Sequence, residues 1–115
     1  MHQIALNEPS LRVLSIDDVR ERTRAFCVQR PVQKLELFGS VAHGDASATS
    51  DVDLLVTFDP EADFGMFEFL RYKEELETAL GRRVDLLERP AVESSTNPFL
   101  KHYILRSAQM LYERA

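Results

Sequence analysis

A glycine-serine pair, Gly39-Ser40, stands ten residues ahead of Asp51-Val52-Asp53, and an apolar run, Leu54-Leu55-Val56, follows directly. A third acid, Asp85, sits inside a second apolar run, Val84-Asp85-Leu86-Leu87. Side chains on a strand alternate faces, so Asp51 and Asp53 are expected to point the same way, with backbones roughly 7 Å apart. Two like charges that close are costly unless something positive lies between them. Mg²⁺ is the simplest answer, being a hard cation that takes carboxylate oxygens. If the strand carrying Asp85 neighbours the first, three carboxylates converge. Three acids can hold two metal ions roughly 4 Å apart, an arrangement suited to in-line phosphoryl or nucleotidyl transfer. The glycine of Gly39-Ser40 lets a backbone approach a phosphate closely. The serine hydroxyl and nearby amides can donate to its oxygens. Alone, a Gly-Ser is a plain turn and an Asp-x-Asp a solvated strand edge; the joint pattern carries the inference.

The elements that must hold these groups can be read from periodicity. Residues 1–14 lack a strong period and are expected to form an arm ahead of a single domain at 15–115. Ser15 with Asp18 three positions later reads as a helix cap. Ile16, Val19, Thr23, Phe26 and Cys27 then keep helical spacing, predicting a helix at about 16–29 that ends at Pro31. Lys34 to Phe38 alternates as a strand, and Asp51 to Phe58 reads as a second one, broken by Asp59-Pro60. From Phe64 to Leu80 apolar residues recur at helical spacing, closed by Gly81. Arg83 to Glu88 reads as a third strand. Asn97-Pro98 is a helix start, and Leu100, Ile104, Ala108 and Leu111 form a stripe that predicts a helix to the end. The fold class is therefore α/β (α+β): a small mixed sheet of at least three strands with helices packed on it.

Composition bounds the partners. The chain has 115 residues, 44% of them hydrophobic, and a net charge of −5. That is one domain with enough apolar residues for a core. The acidic balance argues against direct nucleic-acid binding, which needs clustered Lys and Arg. A short anion such as a nucleotide remains within reach of a few local cations and a metal. One cysteine, Cys27, allows no internal disulfide and fits a reducing cytoplasm. The N-terminus has no basic stretch followed by an apolar run, so no signal peptide is expected. No run approaches the ~20 apolar residues that span a membrane. Cys27, Phe64, Phe67 and Phe69 read as packing or, for the phenylalanines, dimer contacts. Tyr72, Tyr103 and Tyr112 read as amphipathic edge residues, and His43 as a loop residue.

Gly39-Ser40, the ten-residue gap and Asp51-Val52-Asp53 resemble the signature of the nucleotidyltransferase superfamily related to DNA polymerase beta. The short length resembles its minimal (MNT) members. The tail Asn97 to Arg106 and Leu111-Tyr112-Glu113 extends the resemblance over about residues 15–113. The resemblance implies Mg²⁺-dependent transfer of AMP from ATP, with two metal ions. It assigns Gly39, Ser40 and Ser50 to nucleotide binding and Asp51, Asp53 and Asp85 to metal ligation and catalysis, Asp85 as the base. It also implies a partner, a HEPN-domain toxin carrying the tyrosine that accepts AMP, so that the chain acts as an antitoxin in a homodimer or hetero-oligomer. An alternative is a catalytically weak antitoxin of the same fold that neutralises its partner by binding alone. A third, transfer to a small molecule, lacks the added helices an acceptor would need. One departure stands out. Relatives carry arginines after Gly-Ser, whereas this chain has Val41 and His43. Either nucleotide affinity is weaker, or phosphate-facing cations come from elsewhere, with Arg71, Lys73, Arg82 and Arg83 as candidates that otherwise read as surface charges.

Overall fold

The computed structural model describes residues 13–115. Of the expected arm, residues 1–12 lie outside the described residues, and Leu14 is buried in the core. The elements run α1 (Ile16–Gln29), β1 (Val32–Phe38), α2 (Gly39–His43), β2 (Val52–Phe58), α3 (Met66–Leu80), β3 (Val84–Glu88), α4 (Arg89–Glu93), α5 (Pro98–Ser107) and β4 (Gln109–Glu113). The strands form one mixed sheet in the order β3-β2-β1-β4. β1 pairs antiparallel with β2 and β4, and β2 pairs parallel with β3 through the α3 crossover.

Local chemistry explains most boundaries. The Ser15 hydroxyl accepts from the Asp18 amide and the Asp18 carboxylate accepts from the Ser15 amide, both at 3.0 Å, closing the box that starts α1. Asn97 caps α5 by accepting from the Phe99 and Leu100 amides, with Pro98 in the first turn. Gly81, at φ 67°, ends α3 and returns its amide to the Glu77 carbonyl.

Strand alternation then sorts the side chains into two packed faces. Val52, Leu54 and Val56 join Leu35, Leu37, Val84 and Leu86 under α1 and α3, through Val19, Phe26, Cys27, Leu76 and Leu80. The opposite face is thinner: Phe38 and Leu55 meet Val92 of α4 and Ile104 of α5. Helices thus cover both sides of the sheet. Phe64 and Phe69 pack in an aromatic cluster with Phe58, as the packing reading requires. Phe67 instead stands 84% exposed. Cys27 is fully buried, and burial pushes its thiol up to about 12, so it stays an inert core side chain. Among the described residues no helix is long and apolar enough to cross a membrane.

The chain's end departs from expectation. α5 stops at Ser107, and residues 109–113 form β4 beside β1 instead of more helix. Leu111 satisfies both readings: it continues the helical stripe from Ala108, and it is also buried in β4, where a register shift in the β1 pairing lets Leu111 and Tyr112 both pack on the thick-face core. Pairing decides the matter, because β4 satisfies the backbone groups that β1 would otherwise leave open along its outer edge. The Arg20 guanidinium adds a bond at 2.9 Å to the Met110 carbonyl.

The thinner face also buries a charge that the sequence does not advertise. Glu36 is 6% exposed, and its two carboxylate oxygens accept from Nη1 of Arg89 at 2.7 and 2.9 Å. Nε of Arg89 donates to Glu93 at 2.8 Å. Removing one partner of such a pair strands the other in a poorly solvated place. Arg89→Ala is expected to cost about 2 kcal/mol, less than for a fully buried pair because Arg89 keeps some contact with water. Urea denaturation of the two proteins measures it.

Candidate active site

The thinner face opens into a site at the end of the sheet where β1 finishes and β2 begins. Asp53 lies in register with Asp85 across the parallel β2–β3 pair and with Phe38 across the antiparallel β1–β2 pair. Registered neighbours share a face. Asp85, Asp53 and Phe38 therefore form one row across three strands, and the strands are neighbours as the convergence of carboxylates requires. Asp51 precedes β2 and is exposed, as is Asp85, while Asp53 is partly buried.

The charges interact. Burial, the Asp85 carboxylate and the Asp51 carboxylate, in that order, push Asp53 up to about 6. Both neighbouring carboxylates thus act on Asp53 through space. Among the described residues no three His, Cys, Asp or Glu side chains already stand as a cage for an ion. Asp51 is instead paired with Nε of Arg83 at 3.4 Å. The donor set nonetheless suits a hard divalent cation: all-oxygen, carboxylate, on adjacent strands, with like-charge repulsion that a cation would relieve.

Gly39 fits this site for two reasons. Its φ is 77°, a conformation that side chains disfavour, and a Cβ built there would land on the Asp53 carboxylate. The residue that follows β1 must therefore lack a side chain so that Asp53 can occupy the space. Ser40 follows, half-buried in the first turn of α2. Beyond α2, the loop is pinned by Ser50, whose hydroxyl accepts from the Ser47 amide at 2.8 Å. Here Ser50 acts as a loop clasp leading into Asp51.

The alternative cations resolve differently. Lys73 pairs with Glu77 at 3.2 Å on α3, which also carries Arg71 and packs on the other face of the sheet. Arg82 is buried and donates to the Gly81 carbonyl. Arg83 reaches the Asp51 carboxylate. Val41 is buried in the core, and His43 stacks on Tyr103 of α5, with ring centroids 6.0 Å apart and planes at 22°. His43 and Tyr103 therefore line a shared wall beside the turn. The spacing of Phe99, His102, Tyr103 and Arg106 on one helical face carried that signal, but only the fold brings α5 to α2.

Residues 19–111 match the family model described as a nucleotidyltransferase domain. A Methanocaldococcus jannaschii protein named as a protein adenylyltransferase is 32% identical over 95 residues, covering 83% of this chain and 96% of its own. A solved structure described as a minimal nucleotidyltransferase is 31% identical with a TM-score of 0.63, covering 84% of this chain and 95% of that one. A toxin–antitoxin complex with AMP-PNP shares the fold at 21% identity and TM-score 0.61, over 88% of this chain and 75% of that one. So does the tri-AMPylated Shewanella oneidensis HEPN toxin in complex with MNT antitoxin, at 17% identity and TM-score 0.59, over 86% and 73%.

The raised Asp53 pKa makes a stability prediction. The folded state holds this proton more tightly than the unfolded chain does, so folding loses stability as pH rises from about 4 to about 6. Asp53→Asn removes that penalty. It should match the parent near pH 4 and exceed it by about 1 kcal/mol at pH 7.5, after discounting for solvent screening. Paired urea melts at the two pH values, without divalent cations, read the difference.

Proposed function

The chain belongs to the nucleotidyltransferase-domain family, and we propose that it transfers AMP from ATP to a tyrosine of a HEPN-domain toxin, acting as that toxin's antitoxin. The observation that carries the catalytic reading is the in-register Asp53–Asp85 pair beside the side-chain-free Gly39. The named partner is suggested by the likeness to toxin–antitoxin complexes, one of them holding an AMPylated HEPN toxin.

In this reading Gly39 and Ser40 receive the triphosphate, the Ser40 hydroxyl donating to its oxygens. Ser50 holds the loop that delivers Asp51. Asp51, Asp53 and Asp85 would hold Mg²⁺, two ions in the full site, which when bound neutralise phosphate charge and acidify the attacking hydroxyl. Asp85, exposed at the rim of the row, takes the proton from the acceptor hydroxyl. The acceptor oxygen then bonds to the α-phosphorus while the bond to the β-phosphate breaks and pyrophosphate leaves. Arg83 holds Asp51 in an ion pair at 3.4 Å, which Asp51 would leave to ligate a cation. That exchange is cheap because Arg83 is 83% exposed.

Incubation with ATP labelled at the α-phosphate, Mg²⁺ and a cognate HEPN-domain toxin tests the proposal. Label is expected on a HEPN tyrosine, at a rate reduced about a hundredfold or more by Asp51→Asn with Asp53→Asn. Absence of transfer to a folded partner in ample Mg²⁺ contradicts it. If the double mutant still neutralises the toxin, neutralisation works by binding alone.

A further inference from the structure

Beside the phosphate turn lies a cleft of about 750 Å³ lined by His43, Phe99, His102, Tyr103, Arg106 and Ser107, among others. Its size falls within the range typical of small-molecule sites. Resting on the reading of Gly39-Ser40 as the triphosphate turn, we propose that this cleft is the nucleobase subsite, with Tyr103 as its stacking platform.

Four features point to a flat heterocycle. First, position: His43 is the last residue of α2, the helix that opens at Gly39-Ser40, so the cleft begins about 6 Å of helix rise from the turn. A nucleotide held there by its phosphates reaches the cleft with its base. Second, shape: the His43 and Tyr103 rings already stack, and a base can extend that stack with no rearrangement of α5. Third, exposure: among the described residues Tyr103 is 51% and Phe99 85% exposed, although both belong to a helix whose Ile104 is in the core. Aromatic groups left open beside a phosphate-binding turn are suited to bases, whose faces stack on any aromatic ring. Fourth, polarity: Arg106 lies within 3.4 Å of the His102 ring at the cleft rim, where both can address ring nitrogens or the ribose and phosphate edge.

The subsite also answers the missing arginines. Val41 is turned into the core, so it brings no cation to the turn. Base stacking supplies affinity that does not depend on phosphate charge.

The test compares Mg-ATP with magnesium tripolyphosphate, which has the phosphates and no base, by titration calorimetry on the full chain. Wild type should bind ATP more tightly than tripolyphosphate. Tyr103→Ala should weaken ATP roughly tenfold or more, leave tripolyphosphate unchanged, and keep its melting temperature, since the side chain is half exposed. Tyr103→Phe should retain the wild-type preference. Equal affinity of wild type for the two ligands, or loss of both ligands together in a folded Tyr103→Ala, overturns the subsite. Unchanged ATP binding in Tyr103→Ala also overturns it and assigns the aromatic face to a protein partner. Failure of wild type to bind tripolyphosphate at all would instead strike the reading of the turn.

Discussion

Repulsion between carboxylates on neighbouring parallel strands is the constraint around which this small domain is arranged. Asp53 and Asp85 face each other in register, and Asp53 is withdrawn far enough from water to resist ionisation up to about pH 6. A sheet designed only for stability would place Thr or Val in that row. The acids persist at a cost to folding, and local violations of this kind mark functional sites more often than structural ones.

The rest of the architecture makes the row tolerable. The thick apolar face under α1 and α3 carries the core, with Leu35, Leu37, Leu54, Leu76 and Leu80 fully buried. That leaves the other face free to hold polar groups. There Glu36 is buried and matched by Arg89, while nearer the end of the sheet Arg83 pairs with Asp51 at the rim. Gly39 completes the design by yielding its side-chain space to Asp53. The same glycine begins the turn proposed to receive phosphate, so one residue couples the carboxylate row to the phosphate position.

Much of this was legible from local signals. The Ser15–Asp18 box, Asn97-Pro98 and Gly81 each mark a boundary through chemistry within a few residues. Asp53 and Asp85 stand out because they interrupt apolar runs. What the sequence concealed was non-local. β4 pairs with β1 across more than seventy positions, and Leu111 fits a helix as readily as a strand until that pairing forms. Glu36 looks like an ordinary polar residue of an alternating strand, and only the return of α4 supplies Arg89. Tyr103 reads as an edge residue until α5 is laid beside α2. Ser50 appears in sequence as part of a ligand-binding motif, whereas its observed bond is to the loop itself.

The central claim is that the carboxylate row is a divalent-cation site. Paramagnetic broadening by Mn²⁺, followed residue by residue in the amide spectrum of the full chain, addresses it directly. Signals of Gly39, Asp53 and Asp85 should vanish first, at Mn²⁺ concentrations that leave the acidic surface of α3 sharp. Broadening that begins elsewhere, or spreads evenly over exposed acids, would contradict the account.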